Sequence, residues 1–599
     1  MGGMGRAKAL LAGLLMVAAA APATAYAADT TIGFSVTEMH FDVLAGPGGV
    51  KHCDVVGDLY LPDGASAKRP VPAILTTNGF GGSKDDRAGI GKYFAANEYA
   101  VLAYSGLGFG GSGCKITMDD PDWDGQAASQ LVSFLGGQEG IAYYDAAHAQ
   151  PVPALTSIVQ DKVDHNGKPS THDPRVGMIG GSYGGGAQFA AAAVDPRIDT
   201  LIPIITWNDL SYSLAPNNTD LRTGVTYRTP GVTKLTWPVL LFGVGAGLSS
   251  VTGLSNDPSR VLGCPNFTNE ICPDLLASGT LGYPTNDTIS LLRHASVTSF
   301  VDRIKVPVLL MQGQNDTLFN LNESIATFQA LKAQGNPVKL VWQSWGHSGG
   351  PAPGEIDPDN LDPATQYETA RMVAWFNQYL KNGPVDTSPE FTYFRDWVSY
   401  NGIATPAYGS APQYPVGTTS TLYLSGKNLV WSPADVGPGA QSFGTIPGGI
   451  PTSSSGIDVL SPNLPPDLNL PGTYASWSSA PLSSPVTVVG PPELTVQMQS
   501  PIPALGPAGK PVVIAKIYDV APDHTASLIH NLVAPARIAD PSQPVTITLP
   551  AIVHQFAAGH SIKVVLAGGD LNYRGGLTGA LVTVATGDLG QTLTLPTLD

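Results

Sequence analysis

Charge is scarce in this chain: Asp, Glu, Lys and Arg make up 13% of its 599 residues, and 31 Lys and Arg face 47 Asp and Glu. The formal net charge of −16 leaves no basic excess for a polyphosphate backbone or an anionic bilayer, which argues against nucleic acid and anionic membrane as partners. Beyond the N-terminal leader no stretch reaches the ~18 consecutive apolar residues that a membrane-spanning helix needs, so no span is expected. Cysteine is sparse too, at four, and no Cys-x-x-Cys spacing occurs, which disfavours a zinc site. The chain also lacks an internal repeat, a dinucleotide fingerprint and a metal-ligand cluster. Its Gly-rich Gly106–Gly113 has no Lys-Ser/Thr of a phosphate loop and reads as a turn, so no cofactor is expected. Glycine (69) and proline (52) are plentiful but aperiodic, which points to many turns and long loops rather than a collagen-like repeat.

The first 27 residues combine Arg6 and Lys8, an apolar run from Ala9 to Ala21 and a small-residue Ala25-Tyr26-Ala27 end, the pattern of a secretory signal peptide. Loss of Arg6 and Lys8 with the leader would take the formal charge from −16 to −18. In an oxidising compartment an even number of cysteines suggests two disulfides. Cys264 and Cys272 lie close in a Pro/Asn-rich stretch, so the simplest pairing is Cys264 with Cys272 and Cys53 with Cys114; free buried thiols are the alternative.

Chemistry concentrates around Val176-Gly177-Met178-Ile179-Gly180-Gly181-Ser182-Tyr183-Gly184, an apolar run that ends in a G-x-S-x-G pattern and is followed by small, helix-forming residues. This reads as strand, sharp turn and helix, the nucleophile elbow of an α/β-hydrolase, in which a Cβ on either flanking glycine would strike the adjoining strand or helix. A serine hydroxyl needs a histidine base and a carboxylate that fixes the imidazole tautomer, in the order Ser, Asp or Glu, His for this fold. Val306–Met311 is a buried-strand run leading to Asp316, and Val338–Trp342 is another leading to His347. Ser182, Asp316 and His347 thus form the expected triad.

Acyl transfer also requires two donors aimed at the developing oxyanion. One is the backbone N–H of Tyr183, just after the serine. The other is assigned to the backbone N–H of Phe80, in the Asn78-Gly79-Phe80-Gly81-Gly82-Ser83 loop after an earlier strand. The segment Arg175–Gly185 with Gln188 and Trp207-Asn208-Asp209, and the regions around Asp316 and Ser344-Trp345-Gly346-His347, resemble the Xaa-Pro dipeptidyl-peptidase family (peptidase family S15) and the cocaine-esterase-like (CocE/NonD) hydrolases. The resemblance implies a serine hydrolase with an inserted cap and a C-terminal jelly roll. Three positions depart from it: Phe80, without a hydroxyl, stands at about the place where the family often has a tyrosine whose phenol is the second oxyanion donor, Ser105–Ser112 loses the charges of an Asp-x-Arg loop, and Gln343-Ser344-Trp345 replaces Gly-Pro-Trp. Trp207 and Asp209 are candidates for the substrate pocket, Asp209 for holding a substrate ammonium.

The expected organisation is a signal peptide (1–27), an α/β-hydrolase domain (28–384) with a cap at about 210–301, and a C-terminal β-sandwich (385–599). Strands are expected at Phe34–Leu44, Val50–Leu61, Val71–Thr77, Tyr99–Tyr104, Val176–Ile179, Leu201–Thr206, Val306–Met311 and Val338–Trp342. From Leu210 to about Val301 this rhythm breaks, as an inserted cap would require, with helices at Val239–Leu248 and Thr288–His294. Beyond the helix Pro363–Leu380, short strands beginning with Phe391–Tyr400 suggest the sandwich, with Asp435–Gly472 as a Pro/Gly/Ser-rich excursion. The leading functional reading is an exported hydrolase acting on a small-molecule ester or peptide, its oligomeric state open. The competing class is a catalytically silent binding protein whose jelly roll takes carbohydrate or protein, and the intact Ser, Asp and His argue against it.

Overall fold

The computed structural model describes residues 32–248, 257–386, 388–445, 469–501 and 506–598, so the leader and residues 446–468 of the Asp435–Gly472 excursion lie outside the described residues. The chain begins with an antiparallel pair, β1 (Phe34–Ala45) and β2 (Lys51–Pro62). β3 (Ala73–Thr77), helix α1 (Ala88–Ala96) and β4 (Ala100–Tyr104) follow as a parallel unit. Helix α2 (Gln126–Leu135) leads into a long loop interrupted by β5 (Ala142–Tyr143). Then come β6 (Val176–Gly181), helix α3 (Tyr183–Val194) and β7 (Ile198–Ile204).

The insertion opens with helix α4 (Leu210–Leu214) and the small hairpin of β8 (Leu221–Thr223) and β9 (Thr226–Tyr227). It continues through helices Thr236–Leu248, Ile271–Leu281 and Asn286–His294. Two of these correspond to the expected helical segments. Ile271–Leu281 was not expected, because its apolar residues follow no strong helical period and only the Gly282 cap, at φ +77°, marks its end.

β10 (Val308–Gly313), β11 (Val338–Gln343), β12 (Phe391–Phe394) and β13 (Tyr408–Ala411) complete an eleven-stranded sheet in the order β13-β12-β11-β10-β7-β6-β3-β4-β2-β1-β5. Its centre is parallel and its strands are buried on both faces, which explains why they read as continuous apolar runs. Two buried tryptophans, Trp342 and Trp375, anchor the packing. Burial of such a ring is worth roughly 2–3 kcal/mol, and both indole N–H groups are satisfied, by Ser324 Oγ at 3.1 Å and Thr200 Oγ1 at 2.7 Å.

One expectation is corrected here. Phe391–Phe394 does not open the sandwich: it pairs in parallel with β11, so the first sheet runs past residue 384 and ends only at Ala411. A single strand carries no signal for which sheet it will join. After it the chain is all-β, with a 14-stranded assembly around its own core of residues such as Leu422, Trp477, Val496 and Val564. Cys53–Cys114 and Cys264–Cys272 are both disulfide-bonded. Among the described residues no helix is long and apolar enough to cross a membrane.

The C-terminal domain packs on the insertion and on the loop after β10. Asn218 donates from its backbone and side chain to Pro535 O, and Lys234 pairs with Tyr573 in an isolated bridge. His530 meets Asn315 Oδ1 at 3.0 Å.

Candidate active site

The β6–α3 junction is tight because two glycines allow no side chain. A Cβ on Gly180 would lie 2.6 Å from Gly184 O, and one on Gly184 would lie 2.5 Å from Thr77 O in β3. Between them Ser182 is held at φ +54°, ψ −118°, a conformation that non-glycine residues rarely adopt and that surrounding structure must enforce. Gln188 does much of that: its Nε2 donates to the carbonyls of Gly180, Gly184 and Ile202, and its Oε1 accepts from Ile202 N.

β10 and β11 are parallel neighbours, so the loops leaving their C-terminal ends meet. His347 Nε2 lies 2.7 Å from Ser182 Oγ, and His347 Nδ1 lies 2.7 Å from Asp316 Oδ2. With Nδ1–H donated to the carboxylate, Nε2 is free to accept the serine proton. The carboxylate of Asp316 is wholly buried, and its Oδ1 accepts from the N–H groups of Leu318 at 3.0 Å and Phe319 at 2.7 Å. Trp237 and Phe319 pack near-perpendicular to the imidazole at centroid distances of 5.8 and 5.1 Å.

The loop carrying His347 rests on a buried acid pair. Glu355 accepts from Ser344 N at 3.0 Å and Tyr408 Oη at 2.7 Å, and Glu368 accepts from Trp345 Nε1 at 2.8 Å. Burial, reinforced by the charge of Glu355, pushes the Glu368 carboxyl well above the usual carboxylate range. On the acid side, Lys234 is 4% exposed and donates to Thr317 O at 2.8 Å and Leu318 O at 3.1 Å. Desolvation brings its ammonium down to about 8, against the opposing attraction of Asp316 and Glu323. Sequence reasoning missed Lys234, although it is the only charged residue between Arg228 and Asp257.

Phe80 and Tyr183 flank the serine, their rings 5.9 Å apart. Among the described residues neither backbone N–H is used in the protein's own hydrogen bonding. The Tyr183 phenol is engaged below the site, accepting from Asp119 N at 3.1 Å and lying 3.5 Å from Asp124 Oδ2. Asn78 is buried and braces the loop: its Oδ1 accepts from Gly106 N and its Nδ2 donates to Gly79 O.

A cavity of about 120 Å³ opens beside Ser182, roofed by the insertion and lined by residues including Phe80, Trp207, Leu241, Phe267, Leu292 and Phe319. Trp207 is therefore in the wall, with its indole N–H satisfied by Ala295 O at 3.0 Å. Asp209 is not. It is fully buried and caps helix α4; its Oδ1 accepts from Ser211 N and Oγ and its Oδ2 from Thr226 Oγ1 and Arg293 Nε, so both oxygens are engaged. A carboxylate two residues past a pocket tryptophan looks available in sequence; its role as a cap is set by the helix that follows. Asp120, Asp122 and His294, on the rim of the insertion, form a further carboxylate–imidazole group that the sequence did not suggest.

A mostly parallel sheet with serine, carboxylate and imidazole at the ends of β6, β10 and β11 defines a serine hydrolase of the α/β class. The X-Pro dipeptidyl-peptidase (S15 family) model matches residues 52–233 and 283–349, and the X-Pro dipeptidyl-peptidase C-terminal non-catalytic domain matches 413–575. The chain belongs to that family. Its fold is similar to that of an alpha-amino acid ester hydrolase (16% identity, 96% of this chain and 98% of that one covered, TM-score 0.61). It is also similar to an aminopeptidase from a marine sediment Thaumarchaeota archaeon (14%, 97% and 98%, 0.59) and a CocE/NonD family hydrolase from Staphylococcus aureus (12%, 97% and 99%, 0.60). No curated protein matches the chain significantly.

Proposed function

We propose that this protein is an exported serine hydrolase in which Ser182, His347 and Asp316 cleave an ester or amide through an acyl-enzyme. His347 Nε2 takes the hydroxyl proton as Ser182 Oγ bonds to the carbonyl carbon, then gives it to the departing alcohol or amine. Water, deprotonated by the same nitrogen, adds to the acyl carbon, releasing the carboxylic acid and restoring the serine. The Phe80 and Tyr183 N–H groups stabilise the tetrahedral oxyanion, and Asp316 holds the imidazole in the tautomer that leaves Nε2 unprotonated. The observation that carries this reading is the pair of 2.7 Å contacts made by His347, with the serine at a strained turn. Export rests on the leader's composition and is supported by the two disulfides.

Labelling with a fluorophosphonate tests the assignment. The wild-type protein is expected to be modified at Ser182 and Ser182→Ala to resist modification with an unchanged circular dichroism spectrum. Retained labelling of that variant would exclude Ser182 as the nucleophile.

A further inference from the structure

The cavity beside Ser182 is built for an uncharged group. Aromatic and aliphatic side chains form almost all of its wall, and among its lining residues Asp274 alone is ionisable at neutral pH. One oxygen of Asp274 already accepts from the Thr288 hydroxyl at 3.0 Å. The other acidic groups close in sequence to the wall are committed elsewhere: Asp209 to its helix cap and Arg293, and Glu323 to Asn208 N, Asp209 N and the Ser213 hydroxyl. The roof continues the pattern. No residue from Leu235 to Leu248 carries a charge, and Val239 (63%) and Val244 (40%) are exposed.

Resting on the serine-hydrolase reading above, we infer that the substrate is an ester whose acyl part is apolar and uncharged, not a peptide or amino-acid ester with a free α-ammonium. An ammonium must either keep its water or meet a carboxylate; Asp274, already accepting from Thr288, is the single carboxylate among the lining residues, and anywhere else along this apolar wall an isolated cation costs several kcal/mol. The cavity volume of about 120 Å³ is close to the ~150 Å³ of an apolar cavity that accepts benzene, so a ring or a short branched chain fills it. The reaction consumes one ester and one water and yields one carboxylic acid and one alcohol.

The test is a matched pair, the p-nitrophenyl esters of 2-methylpropanoic acid and of alanine, which differ by exchange of a methyl for an ammonium group. Kinetics on the intact protein are expected to favour the uncharged ester in kcat/KM by more than the ~100-fold that an apolar pocket exerts against a mere hydroxyl isostere. Alanyl-prolyl p-nitroanilide is expected to be cleaved more slowly still. Comparable or faster turnover of the alanine ester or the dipeptide anilide would overturn the inference while fluorophosphonate labelling at Ser182 upheld the catalytic reading. Absence of labelling together with absence of any ester turnover would overturn both. Phe242→Ala, which removes a roof ring stacked 5.4 Å from Phe267, is expected to shift preference toward bulkier acyl groups. An unchanged size profile in that variant, if folded, would count against the cavity as the acyl site, and if it does not fold the matched pair on wild-type protein still decides.

Discussion

Lys234, in the insertion, holds the carbonyl of Leu318, two residues past Asp316, with a 3.1 Å hydrogen bond from its buried ammonium. The same nitrogen binds Thr317 O, while the Leu318 and Phe319 N–H groups donate to the Asp316 carboxylate, so Lys234 fixes the carbonyl side of that turn and Asp316 its N–H side. Its backbone is tied to the C-terminal domain through the bridge to Tyr573. The insertion, the C-terminal domain and the turn bearing the proposed catalytic acid therefore converge on one residue.

Lys234→Met is expected to lower kcat about tenfold with little change in KM, because the turn loosens while the cavity wall stays. Stability should behave differently. The folded-state value of about 8 lies below the unfolded value of ~10.4, so the unfolded chain holds the proton more tightly between them, and the buried charge costs stability at neutral pH. Loss of the charge offsets the two carbonyls left unpaired, and Tm at pH 7 should change by only a few degrees. A large fall in Tm with an unchanged kcat would mean a purely structural role.

The positions of Ser182, Asp316 and His347 were legible because each follows a strand buried on both faces, and such strands announce themselves as apolar runs before a turn. The elbow was legible because its glycines are forced by close approach to Thr77 and Gly184, a constraint that leaves a mark in the sequence itself. What could not be read were contacts between distant segments. Lys234 with Leu318, Asn218 with Pro535 and β11 with β12 join residues whose local patterns say nothing of their partners. Asp209 shows the same limit from the other side: its residue type fits a substrate contact, and only Arg293 and the helix it caps reveal that it is spoken for.

The oxyanion loop offers a contrast between a side chain and the backbone beneath it. Phe80→Tyr is expected to change turnover of an activated ester by less than about threefold, since nothing aims a hydroxyl from that ring. Gly81 sits at φ +87°, and a Cβ there would lie 2.8 Å from Val244 Cγ1, so Gly81→Val must shift the loop bearing the Phe80 amide. Loss of one oxyanion donor costs ~10²–10³ in kcat, which is the expected scale. Gly79 is less constrained, because a Cβ there meets only ordinary contacts at 3.6 and 3.9 Å, and Gly79→Ala should retain most activity. Steady-state kinetics on the three variants would reverse the backbone-donor reading if Phe80→Tyr gained tenfold while Gly81→Val lost nothing.

The two disulfides should differ in what they stabilise. Cys53–Cys114 spans 61 residues and Cys264–Cys272 spans 8, so by loop entropy their loss costs about 4 and about 2.5 kcal/mol respectively. Paired Cys→Ser variants in urea should show the larger drop for the first. The second should act on substrate, because Phe267 and Ile271 between and beside its cysteines line the cavity. A rise in KM for apolar esters is expected there with kcat largely kept.

Glu323 gives the protein a pH-dependent weakness. Its carboxyl is buried, and desolvation pushes it up to about 8 even though Ser213, Asp209 and Asn208 all donate to it. The unfolded value is ~4.3, so between the two the folded state binds the extra proton. The stability this confers is present in full below pH ~4 and is lost as pH rises through 8. Glu323→Gln keeps a carbonyl for the Asn208 and Asp209 N–H groups and cannot ionise. The variant is therefore expected to match or fall slightly below wild type in Tm at pH 5 and to exceed it by a few degrees at pH 9. Because those two N–H groups hold the segment that begins with Trp207, ester hydrolysis by the variant should also persist to higher temperature at pH 9. Calorimetry at the two pH values checks this directly, and a Tm difference that is the same at both would mean that Glu323 remains charged in the folded protein.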